Sequence, residues 1–176
     1  MRKSESDKSV FGFYSSGFFT VKRVRSSING KKHSFFMVDK RSIAAILPVK
    51  GDGRIVLERQ FRPPIGAYIY EIPAGHIDGK EKPSIAARRE LEEETGYRAK
   101  RIKKLTVLYS SPGILNERIH LYLATGLGKG KRHLDPDESI ALKVVSLDKA
   151  LQMMKHGEII DAKTVAAILY YKALLR

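Results

Sequence analysis

Glu90, Glu93 and Glu94 stand at helical spacing just behind Arg89, in the segment Gly75 to Tyr97, GHIDGKEKPSIAARRELEEETGY. Pro83 suits the first turn of a helix and Gly96 suits a left-handed stop, so the spacing predicts a helix over about Pro83 to Thr95. At about 100° per residue, Glu93 lies roughly 60° to one side of Glu90 and Glu94 roughly 40° to the other. Three carboxylates in so narrow a wedge repel one another. Arg89, one turn before Glu93, can pair with it, and a hard divalent cation, magnesium or manganese, would neutralise what remains. A solvated, salt-bridged helix face would produce the same tract by itself.

The elements around this tract must hold it in place. GFFTVKRVRSSI and KKHSFFMV flank Asn29-Gly30, a hairpin signal, so residues 1–40 read as a small antiparallel appendage before a larger domain over 41–176. SIAAILPV, RIVLERQF and YIYEI precede the acidic helix as strands, and IKKLTVLY, RIHLYLAT and SIALKVVSL follow it. A helix capped by Ser146 and stopped by Gly157, and another from near Asp161, close the chain. Strands on both sides of a central helix, followed by two more helices, predict an α+β or α/β/α sandwich with a mixed sheet.

In register with Gly75 and Glu81, the acidic helix completes the pattern G-x5-E-x7-R-E-[apolar]-x-E-E-x-G-[apolar], which resembles the signature of the Nudix hydrolases; only Tyr97 departs from it, where a smaller aliphatic is usual. The resemblance implies the Nudix α/β/α sandwich and metal-assisted hydrolysis of a nucleoside diphosphate linked to another moiety. It implies Glu90 and Glu94 as metal ligands, Glu93 as a further or bridging one, the backbone carbonyl of Ala74 in the shell, and Glu81 joining through water. The flanks RQFRPPIG, YEIPAG and SSPGILNERIHLYLA, with Pro112 sixteen residues beyond Gly96, are similar to the ADP-ribose pyrophosphatase branch. That branch implies Mg2+-dependent cleavage of ADP-ribose to AMP and ribose 5-phosphate. GDP-mannose or ADP-glucose is the alternative substrate, and a nucleotide- or RNA-binding module with an inactive box is the non-enzymatic one. It also implies substrate contacts at Arg62, Gly113 and Glu117, adenine stacking by Phe18, and a general base, Glu138, from a mobile loop, with Asp135, Asp137 and His133 as chemical rivals. Arg89 then orients Glu93 rather than touching substrate. Members of the branch are homodimers with exchanged N-terminal strands, and the exposed edges of the hairpin suit that arrangement.

Composition narrows the setting. No apolar run approaches the ~20 residues that span a bilayer, and the charged start MRKSESDKS has no apolar stretch behind it, so a cytoplasmic protein is expected. The absence of cysteine excludes disulfides and thiolate catalysis. The net charge of +14 is scattered over several clusters without an RNA-binding motif, so specific nucleic-acid binding is not expected.

Overall fold

The structure, a computed structural model, describes residues 10–136 and 138–175, with side chains from residue 14. Its strands before the acidic helix are β1 (Val10–Ser15), β2 (Phe19–Ile28), β3 (Lys31–Lys40), β4 (Ile43–Pro48), β5 (Ile55–Arg62), β6 (Ala67–Glu71) and β7 (Ala74–His76). They are followed by α1 (Pro83–Thr95), β8 (Tyr97–Tyr109), β9 (Arg118–Lys129), β10 (Ile140–Val145), α2 (Leu147–Lys155) and α3 (Ala162–Leu174). Asn29 and Gly30 both take positive φ, 52° and 76°, as a tight two-residue hairpin between β2 and β3 requires. The chain packs as two units, one of residues up to Ser42 with Tyr109–Arg118, the other of Ile43–Leu108 with Ile119–Arg176. The excursion 109–118 packs with the first unit rather than with the larger one that flanks it in sequence. In the first unit β1, β2 and β3 form an antiparallel sheet, to which Leu115 adds a bridge at Val38.

In the second unit β7-β4-β9-β8 form a mixed sheet, with β4 parallel to β9 and antiparallel to β7, and β10-β5-β6 form an antiparallel one. The run IAAILP makes β4 apolar on both faces, the mark of a strand with layers on either side. Ala44 and Ile46 pack with Ala86, Ala87 and Leu91 of α1, whereas Ala45 and Leu47 pack with Ala150 and Met153 of α2 and Ile168 of α3. This is an α+β sandwich with a mixed sheet, preceded by a small antiparallel sheet. Strand β1, the three-residue β7 and the 3-10 turn Pro63–Ile65 go beyond the sequence expectation. Helix ends follow their punctuation: Gly96 takes φ 73°, and Ser146 and Asp161 accept from Lys149 N and Thr164 N. Among the described residues no helix is long and apolar enough to cross a membrane.

Candidate active site

The apolar stripe of α1 that seats on β4 is continued by acids. Glu90 follows Ala86 by one turn and Glu94 follows Glu90 by another, so both carboxylates are drawn inward beside β7, with only 9% and 4% of their surface exposed. Glu93 stays at the rim, its side chain 40% exposed. Gly75 allows this approach, because a Cβ there would overlap the Glu90 carboxylate. Beside it, the Ala74 N–H donates to Glu94 Oε2 at 3.0 Å.

Arg89 does more than pair with Glu93. Its Nη1 donates to Glu90 Oε1 at 2.7 Å and Glu93 Oε2 at 3.0 Å, and its Nη2 to the His76 carbonyl at 3.0 Å and Glu81 Oε2 at 3.2 Å. One guanidinium thus joins the Gly75 loop to three acids, and its hydrogen bonds hold Glu81 below the usual carboxylate range.

Deeper in, positive charge runs short. Burial, opposed by Arg89, pushes Glu90 up to about 7. Burial and then the neighbouring charges of Glu58, Glu90 and Glu138 raise Glu94 further. Glu58 of β5 is the member that sequence reasoning missed. It is 2% exposed, its Oε1 is buried with no hydrogen-bond partner, and burial together with Glu71 raises its pKa. The only hint in the sequence was an acid continuing the apolar run Ile55-Val56-Leu57.

These donors are all hard oxygens, and buried carboxylates that repel one another are what a magnesium-sized ion would relieve. That fit makes the cluster a candidate place for a divalent cation. Among the described residues no three acidic or histidine side chains already converge as a coordination shell, and Arg89 donates to both Glu90 and Glu93.

The loop expected to carry the base is anchored at its start. The last carbonyls of α1 lack intrahelical partners, and the loop satisfies them: His133 N donates to Glu93 O at 2.8 Å and Arg132 Nε to Glu94 O at 2.6 Å. Gly130 N donates to Gly96 O at 2.7 Å, and Arg132 Nη2 to Ile140 O at 2.6 Å. Glu138 is half-buried, caps Asp135 N through Oε2 at 3.1 Å, and its charge is felt by Glu58, Glu90 and Glu94. Asp137 lies outside the described residues.

Arg62 is fixed by Glu71, donating through Nε at 2.6 Å and Nη2 at 3.0 Å, while its side chain stays 40% exposed. Lys163 of α3 holds the same carboxylate from within and pairs with Asp161 at 3.0 Å. Thr164 Oγ1 donates to Asp161 Oδ2 at 2.6 Å and accepts from Ile72 N at 2.9 Å, tying α3 to the end of β6. Burial alone would raise Glu71, but Arg62 and Lys163 bring it below the usual range. Lys163, like Glu58, went unread in the sequence.

Three further candidates lie in the other unit. Phe18 is not within a strand: it sits in the bend after β1, where Ser16 Oγ accepts from Phe18 N and Phe19 N at 3.2 Å, and it is 68% exposed. Gly113 lines a groove of about 480 Å3 with Phe35, Phe36, Tyr109 and Pro112. Nothing lies within 4 Å of where its Cβ would be. Glu117 is buried and pairs with Lys40 at 2.6 Å.

Comparison with known proteins agrees with this architecture. The NUDIX domain model matches residues 39–168. An ADP-ribose pyrophosphatase of Bacillus subtilis is 43% identical over 81% of this chain and 78% of its own. A methanol dehydrogenase activator of Bacillus methanolicus is 40% identical over the same shares, and a GDP-mannose pyrophosphatase of Escherichia coli is 32% identical over 89% of each. A crystal structure described as an ADP compounds hydrolase superposes with a TM-score of 0.83 at 22% identity, covering 99% of this chain and 97% of the other. The chain belongs to the Nudix hydrolase family.

Proposed function

We propose that the protein hydrolyses the diphosphate of ADP-ribose, giving AMP and ribose 5-phosphate, with Mg2+ as cofactor and Mn2+ as its substitute. The observation that carries the reaction type is the pair of buried, under-neutralised carboxylates, Glu90 and Glu94, packed against Gly75. The choice of substrate is supported by the 43% identity to an ADP-ribose pyrophosphatase. Glu90 and Glu94, with Glu93, the Ala74 carbonyl and a water on Glu81, would hold the cation, which supplies charge neutralisation on the diphosphate and a more acidic water. Glu138 takes the proton as water oxygen bonds to phosphorus and the bridging P–O bond breaks. Arg89 keeps Glu90 and Glu93 in place. Arg62, held by Glu71, presents its exposed edge to phosphate or sugar oxygens. Phe18, reaching across from the second subunit of the dimer, stacks on adenine, and Gly113 and Glu117 contribute further substrate contacts. The reading includes a homodimer in the cytoplasm. Exposed Phe18, Phe35 and Phe36 on the small unit support a covering partner.

A second substrate, GDP-mannose, is favoured by the 32% identity over nearly the whole chain. Turnover of ADP-ribose, ADP-glucose and GDP-mannose in 18O-labelled water, with products weighed by mass spectrometry, separates them. ADP-ribose should give the highest kcat/KM and a single labelled phosphate. Preference for GDP-mannose would move the assignment to the second reading, and no release from any of them would leave a binding module.

A further inference from the structure

Strands β5 and β6 place two glutamates directly opposite each other, Glu58 facing Glu71. Their burial is equal, 2% exposed each, and their company is opposite. Glu71 has a bidentate arginine and a buried lysine on its oxygens. Glu58 has neither, and its other cross-strand neighbour is Leu142. Along β5, Ile55 and Leu57 belong to the core shared with α2 and α3, so alternation turns Glu58 to the opposite face. There its charge is felt by Glu94, as is that of Glu90. The charges of Arg132 and Lys163 oppose the rise in the Glu58 pKa, but Arg132 donates to the Glu94 and Ile140 carbonyls and Lys163 to Glu71. A buried carboxylate oxygen without any donor, its charge felt by Glu94 of the acidic helix, is costly unless something positive meets it.

We propose that Glu58 belongs to the divalent-cation site, taking the metal directly or through one of its bound waters, and so extends the ligand set beyond the acidic helix to strand β5. This rests on the metal-dependent reading above. A role through bound water still costs about 10- to 100-fold in metal affinity when removed.

The test is Mn2+ binding by electron paramagnetic resonance titration of free Mn2+, without substrate, for the native chain, Glu58→Gln, Glu58→Met and Glu94→Gln. Melting curves in chelator verify folding of each, and Glu58→Met provides a buried apolar replacement should glutamine be poorly housed. Both Glu58 variants should bind Mn2+ at least about tenfold more weakly while melting no lower than the native chain in chelator. Native affinity in both, with loss in Glu94→Gln, would overturn the role of Glu58 and leave the metal site standing. Unchanged binding in all three variants, or no binding by the native chain, would overturn the metal reading itself.

Discussion

Two acidic networks lie side by side in the larger unit, built from the same residue type at similar depth. Around Glu71, Arg62, Lys163, Asp161 and Thr164 satisfy one another, and Arg62 and Lys163 hold the Glu71 carboxyl ionised. Around Glu94, burial and then the charges of Glu58, Glu90 and Glu138 raise its carboxyl, burial raises Glu58 and Glu90 as well, and Arg89 and Arg132 do not offset it. The first network is complete as it stands and fastens α3 to the sheet. The second lacks that balance, and in the proposed reading a cation supplies it. Charge balance, rather than burial or residue type, separates the fastening from the reactive site.

Breaking the second network should remove chemistry and leave the fold. Glu94→Gln is expected to lower turnover of the diphosphate by about 10³-fold or more, because a Lewis acid contributes several kcal/mol and each 1.4 kcal/mol is tenfold in rate. Steady-state kinetics with saturating Mg2+ measures this, and an unchanged kcat would remove Glu94 from the site. Breaking the first network should do the reverse. Lys163→Met leaves Glu71 with Arg62 alone and is expected to cost roughly 3 kcal/mol of stability, the lower end for breaking a buried pair. Urea denaturation reads it, and a loss below about 1 kcal/mol would make the network incidental. A smaller effect sharpens the boundary: Glu138→Gln should cost about 10²-fold in kcat with metal affinity kept, as loss of a general base does. A drop confined to KM would assign Glu138 to binding instead.

The helix of the site was legible because its punctuation is chemical. Pro83 and Gly96 set its ends, and the register of acids with Gly75 points to a shared face. Strand β4 was legible as an apolar run with layers on both faces. What the sequence hid were charged residues in positions normally solvated. Glu58 reads as the polar end of a strand until its register with Glu71 is known, and Lys163 as a soluble lysine in a first helical turn. Phe18 was expected within an alternating strand, but Ser16 turns the backbone so that the ring stands out in a bend. In the loop over 128–139, Arg132 and His133 meet the unsatisfied carbonyls at the end of α1. That pairing lies far apart in sequence and has no local signal.

The comparison is tested most directly by the melting temperature against pH, in chelator and again in Mg2+. In the metal-free fold Glu90 rises from its ordinary 4.5 to about 7, and Glu94 and Glu58 rise with it. An acid whose folded pKa is raised stabilises the fold while protonated, and that stability is lost as pH climbs from the ordinary value through the folded one. The melting temperature in chelator should therefore fall between about pH 5 and pH 8, and Mg2+ should restore it most at the upper end. Coincident curves with and without Mg2+ at pH 8 would contradict a cation site in this cluster.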